Sequence, residues 1–225
     1  TVTGLGFGTN VFQWTLNNGA CGNGITTDQV TITRFDGPAP ASNAGPDQDL
    51  CSVNGTGLAS ATMAGNTPAA PATGTWTAIA GAGGTITTPG SPTTTITNIP
   101  VGTHVYRWTI NNGPCVPNTT FDQVTIRVFD RNAAVAAAGP DQNLCAPVAS
   151  VTLAANAATA PASGTWVLVS GTGTFANASS PTTAVTGMSI GDNVYRWTLN
   201  NGPCPGAVTS DDVTIRLFDP ATAAA

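Results

Sequence analysis

The chain has 225 residues, a formal net charge of −5, and only 8% charged side chains. Its 6 basic residues are all Arg and its 11 acidic residues are all Asp. This composition lacks the basic patch that nucleic-acid binding needs and the polybasic anchor that an anionic membrane would attract. No apolar run approaches the roughly 20 residues that span a bilayer, so no direct membrane insertion is expected.

A repeat organises everything else. Asn17-Asn18-Gly19-Ala20-Cys21 returns as Asn111-Asn112-Gly113-Pro114-Cys115 and as Asn200-Asn201-Gly202-Pro203-Cys204. Trp14, Trp108 and Trp197 keep the same spacing, as do Phe35, Phe129 and Phe218. Residues 1–36 match the C-terminal half of a copy, because Thr1-Val2-Thr3-Gly4 aligns with Ala184-Val185-Thr186-Gly187. Residues 37–130 and 131–219 each form a full copy, and 220–225 read as the start of a linker to another. We therefore expect a segment of a longer array. The junctions Gly37-Pro38-Ala39-Pro40-Ala41-Ser42-Asn43 and Asp130-Arg131-Asn132-Ala133-Ala134-Val135 read as extended, semi-rigid links.

The third copy shows the expected elements in order. Val151–Ala155 alternates, and Gly164-Thr165-Trp166 opens a strand that runs to Gly171. Thr182–Thr186 is Thr-rich, and in Asn193–Leu199 the side chains Tyr195, Trp197 and Leu199 share one face. Asp212–Leu217 turns Val213, Ile215 and Leu217 inward. Period-2 patterning between turn residues marks strands. Short strands at this spacing mean a sandwich or barrel. Trp14, Trp76, Trp108, Trp166 and Trp197, with Tyr106 and Tyr195, are expected in the core.

One segment order has a familiar form. Ala138-Gly139-Pro140-Asp141-Gln142-Asn143-Leu144, the Val151-Thr152-Leu153 strand, Gly164-Thr165-Trp166, Tyr195-Arg196-Trp197-Thr198 and Asp211-Asp212-Val213-Thr214-Ile215 follow one another. This order resembles polycystic-kidney-disease-type, immunoglobulin-like repeats. The version with Asn-Asn-Gly-Pro-Cys and Ser-Pro-Thr-Thr is similar to repeats of giant Bacteroidota surface adhesins, including gliding-motility adhesins exported by type IX secretion. The resemblance implies an all-β fold of tandem immunoglobulin-like β-sandwich repeats in a rod, at the cell surface or outside the cell. Neighbouring repeats of the same chain are the implied partners, with other surface proteins or polysaccharide beyond them.

The five cysteines recur at matched places, as in a disulfide framework of an oxidising compartment. Two connectivities are open. One pairs Cys51 with Cys115 and Cys145 with Cys204, each inside a repeat. The other joins Cys51 of one repeat to Cys204 of the next and leaves Cys21, Cys115 and Cys145 to pair outside the segment. In an immunoglobulin-like sandwich Cys145 sits at the bottom turn and Cys204 in a top loop. A strand of about 7 residues holds those ends about 23 Å apart. A disulfide tolerates about 7 Å between Cα atoms. The second connectivity is therefore favoured, although a loop folding down would rescue the first.

One His and no Lys or Glu leave little for catalysis, and no enzyme activity is expected. No cofactor is expected either. Ca²⁺ is the one candidate, with Asp36 at the end of one repeat and Asp122 at the start of a final strand. The plainer reading makes Asp28, Asp122, Asp211 and Asp212 turn and strand-start residues bonding local backbone N–H groups. The expected role is a non-catalytic, disulfide-stiffened stalk or fibre repeat of a large surface adhesin. The rivals are a carbohydrate-binding or other ligand-binding module, for which Trp side chains must be exposed, and a subunit of an extracellular filament.

Overall fold

The structure is a computed structural model describing residues 1–20, 24–37, 40–53, 55–81 and 83–223. The third copy contains β10 (Gln142–Cys145), β11 (Ser150–Ala154), β12 (Ser163–Ser170), β13 (Thr174–Phe175), β14 (Thr182–Thr186), β15 (Gly191–Asn200) and β16 (Val208–Phe218). One sheet runs β10-β16-β15-β12 and the other β11-β14-β13. The second copy repeats this with β3 (Gln48–Cys51), β4 (Leu58–Thr62), β5 (Thr73–Ala80), β6 (Thr85–Ile86), β7 (Thr95–Pro100), β8 (Gly102–Asn111) and β9 (Thr119–Phe129). Its sheets run β3-β9-β8-β5 and β4-β7-β6. In both copies the first strand lies parallel to the last, and the remaining pairs are antiparallel. The fold is an immunoglobulin-like β-sandwich, made twice.

Alternation decides which side chains go inside. Along β15, Asn193, Tyr195, Trp197 and Leu199 are buried and Arg196 between them is exposed. The strands extend beyond the apolar stretches, so β16 begins at Val208 rather than at Asp212. The paired tryptophans are register neighbours on adjacent strands of one sheet, Trp76 beside Trp108 and Trp166 beside Trp197. Their ring centroids are 5.1 Å apart in both copies. Gly74 and Gly164 make this possible. A Cβ on Gly74 would stand 2.1 Å from Trp108, and one on Gly164 would stand 2.2 Å from Trp197.

The Ala-Gly-Pro-Asp-Gln segment ties the first strand down. Ala44 N donates to Asp122 Oδ2 (2.9 Å) and Ala138 N to Asp211 Oδ2 (2.8 Å). In return Thr125 N donates to Asp47 Oδ1 and Thr214 N to Asp141 Oδ1, both at 2.8 Å. Gln48 and Gln142 donate their side-chain amides across to the Thr62 and Thr152 carbonyls.

The first copy differs. Residues 1–36 contribute β1 (Gly8–Asn17) and β2 (Ile25–Arg34), a two-stranded sheet with no facing sheet among the described residues. Trp14 is consequently 70% exposed, with Val11, Leu16, Ile25 and Val30 also exposed. This corrects the expectation of a core Trp14. The other four tryptophans, Tyr106 and Tyr195 are fully buried. Trp108 is enclosed by β5 and by the Asn66 carbonyl that accepts its Nε1–H at 3.0 Å, and Trp14 has neither.

Candidate functional site

The most elaborate chemistry lies where copies meet, and the Asn-Asn-Gly motif builds it. The first Asn closes its own turn: Gly19 N donates to Asn17 Oδ1, Gly113 N to Asn111 Oδ1 and Gly202 N to Asn200 Oδ1, at 2.8 to 3.0 Å. The second Asn reaches the preceding copy. Asn112 Nδ2 donates to the Asp36 carbonyl (3.0 Å) and Asn201 Nδ2 to the Asp130 carbonyl (2.5 Å). The glycine receives an aromatic ring. A Cβ on Gly113 would lie 2.5 Å from the Phe35 ring, and one on Gly202 would lie 2.7 Å from the Phe129 ring. With φ near +60° at both glycines, a side chain would also be strained there.

The cysteine completes the seam. Cys51 and Cys204 form a disulfide with Cα atoms 5.0 Å apart. Cys51 is the register neighbour of Phe129 at the end of the parallel β3–β9 pair, so bond and ring share one surface. Arg131 adds to it, donating from its backbone N to Ser52 Oγ (3.0 Å) and from Nε to the Ser52 carbonyl (3.1 Å). The intra-repeat pairs Cys51–Cys115 and Cys145–Cys204 are not formed, since Cys51 and Cys204 hold each other and Cys115 and Cys145 are free thiols. The reason is the strand geometry: the first strand delivers its Cys to one end of the sandwich, and the β15–β16 loop delivers its Cys to the other. Cys21 lies outside the described residues.

Sequence reading used Asn-Asn-Gly only as a marker of the repeat. Its function at the seam went unseen because a lone Asn or Gly in a turn is ordinary turn chemistry. The available signal was its co-recurrence with Phe35, Phe129 and Phe218.

The remaining candidate groups do not assemble into a site. Asp122 Oδ2 is engaged by Ala44 N, far away in sequence rather than local, and the Asp36 carbonyl is engaged by Asn112. Asp28 accepts from Gln29 N next to it, while Asp212 is held by Arg196 rather than by a turn. That guanidinium holds the Asp212 carboxyl below the usual carboxylate range, and Arg216 does the same to Asp192. Among the described residues no three His, Cys, Asp or Glu side chains cluster as metal ligands would. His104, the single histidine, is buried with Nε2 2.9 Å from the Pro100 carbonyl oxygen. A cavity of about 290 Å³ beside the seam has mainly Ala, Val and Leu walls. Of its polar groups, Arg131 is engaged by Ser52, Thr209 by Ala136 N and Asn201 Nδ2 by Asp130, while Asn201 Oδ1 is buried without a hydrogen-bond partner.

No family profile matches the chain, and no curated protein does. Its neighbours among solved structures are PKD and immunoglobulin-like domains. The PKD domain from the KIAA 1837 protein is 27% identical over 37% of this chain and 85% of that one, with a TM-score of 0.32. Immunoglobulin domains 1–4 of Sidekick-1 are 12% identical over 88% of this chain and 55% of that one, TM-score 0.43. The I-band fragment I67–I69 of titin is 12% identical over 81% and 67%, TM-score 0.40. No helix among the described residues is long and apolar enough to cross a membrane.

Proposed function

We propose that the chain is a non-catalytic stalk segment of an extracellular, surface-bound adhesin, in which disulfides lock each repeat to its neighbour. The Cys51–Cys204 bond carries this reading, because it joins two sandwiches where a bond inside one would only stabilise that one. Three features support it. The seam contacts recur at both junctions, Asn112 and Gly113 on residues 35–36 and Asn201 and Gly202 on residues 129–130. A disulfide suits an oxidising, extracellular setting. Both complete sandwiches bury their tryptophans, so neither offers the Trp face that a sugar platform needs. Exposed Phe121 does not supply one either, since the Arg107 guanidinium lies over its ring at 4.3 Å. In this reading the Bacteroidota surface adhesins are the setting, and Cys21, Cys115 and Cys145 bond to cysteines of further repeats.

The lock has a mechanical signature. Tension applied at residues 1 and 225 passes through the bond and bypasses the 153 positions between its cysteines. At about 3.3 Å per extended residue, breaking the bond should lengthen the fully unfolded chain by roughly 500 Å. Single-molecule pulling with and without reductant measures this, and Cys51→Ser should reproduce the reduced length. Equal contour lengths in the two conditions would end the proposal.

A further inference from the structure

The seam contacts fall on a dipeptide with a chemistry of its own. In Asn112-Gly113 and Asn201-Gly202 a carboxamide precedes a residue without a side chain. In such a pair the glycine nitrogen can attack the Asn Cγ, because no Cβ shields it. The structure occupies the groups that this reaction needs. Gly113 N donates to Asn111 Oδ1 (2.8 Å) and Gly202 N to Asn200 Oδ1 (3.0 Å), so each attacking nitrogen keeps its proton on a neighbouring oxygen. The nitrogens that would leave, Asn112 Nδ2 and Asn201 Nδ2, donate across the seam to the Asp36 and Asp130 carbonyls. The Phe35 and Phe129 rings lie so close to the two glycines that a Cβ there would overlap them, and Asn112 is 3% exposed.

We propose that Asn112 and Asn201 are deamidation sites guarded by the closed seam, so that a junction is chemically altered only after it opens. Opening frees the carboxamide to turn its Cγ toward the glycine nitrogen, and it admits water. The glycine nitrogen gives up its proton and bonds to Cγ, the Cγ–Nδ2 bond breaks, and Nδ2 departs with that proton as ammonia, closing a succinimide. Water then adds to one of the two imide carbonyls. The ring opens to an aspartate, or to an isoaspartate whose main chain runs through the former side-chain carbon. No oxidant is needed. Either product has lost the donor to the Asp36 or Asp130 carbonyl and carries a negative charge in its place. The loss is severe at Asn201, whose Oδ1 is already buried without a hydrogen-bond partner. A carboxylate there would place a second undonated oxygen, and a charge, beside the Asp130 carbonyl. The altered junction does not reclose as before, so each opening leaves a lasting mark. The inference rests on the seam contacts themselves; the contour-length experiment above can fail without touching it.

The test incubates the oxidised 225-residue chain in mildly alkaline buffer and maps deamidation residue by residue with tandem mass spectrometry. The rates at Asn112 and Asn201 should be roughly tenfold or more below those of the same chain in urea, since chemistry that needs the open turn follows the population of the open form. Phe129→Ala should speed Asn201 severalfold and leave Asn112 unchanged, and Phe35→Ala should do the reverse. The undisturbed junction in each variant checks that the effect is local. Reducing Cys51–Cys204 loosens the same seam without a substitution and should also speed Asn201 alone. Asn201→Asp, standing for the product, should make Cys51–Cys204 roughly tenfold easier to reduce in a glutathione buffer. Folded-state rates that match those in urea overturn the guard, as does a rate at Asn201 indifferent to both Phe129→Ala and reduction. An Asn201→Asp chain whose disulfide resists reduction as well as the original overturns the lasting mark.

Discussion

Glycine does unusual work here by withholding a side chain. At position 164 the backbone is ordinary for a strand, so the constraint is space alone: an added methyl would overlap the Trp197 ring. Overpacking a core costs about 1–3 kcal/mol and occasionally more. Gly164→Ala should therefore lower the melting temperature of the third repeat by roughly 5–20 °C, read by calorimetry. Gly90→Ala is the control, because its methyl would meet nothing nearer than 3.9 Å. The two tyrosines make a second prediction. Burial raises both phenol pKa values above 10, and the hydroxyls donate to the Gly83 and Thr172 carbonyls. The fold thus favours the neutral phenol. Its contribution is full below the unfolded value of about 10 and falls as pH rises through the higher folded values. Alkaline unfolding followed at 295 nm should show both tyrosines ionising together with loss of structure, not before it.

Elements were legible in proportion to how fully their pattern reports burial. The strand around Trp197 alternates so cleanly that its inward face follows from the sequence alone, whereas the sheet that Trp166 joins does not, since Val167, Leu168 and Val169 beside it are exposed. Boundaries were less legible: β16 starts four residues before Asp212 because ladder pairing with β15 continues through polar Thr209 and Ser210. Homology between copies misled at Trp14, since burial belongs to the surrounding elements and not to the residue. A lone hairpin is marginally stable in water. Amides of β1 and β2 should accordingly exchange with solvent orders of magnitude faster than those of β8 and β9, although the paired sequences are nearly the same. Hydrogen exchange with mass spectrometry resolves this; equal protection in the two hairpins would mean that something covers the Trp14 face in solution.

At the scale of the whole molecule, the seam was legible in outline and illegible in detail. Strand directions put Cys51 and Cys204 at abutting ends, and the structure joins them. The Asn carboxamide and the glycine seat could not be read because both contacts cross between copies. The bond also has a consequence of scale. It spans 153 positions, whereas Cys51 and Cys145 stand only 94 apart in the sequence. Any bond of the same kind begun at Cys145 starts before the first has ended. Such bonds would overlap like shingles, so losing one would leave part of its span under a neighbour, and a break need not become a gap.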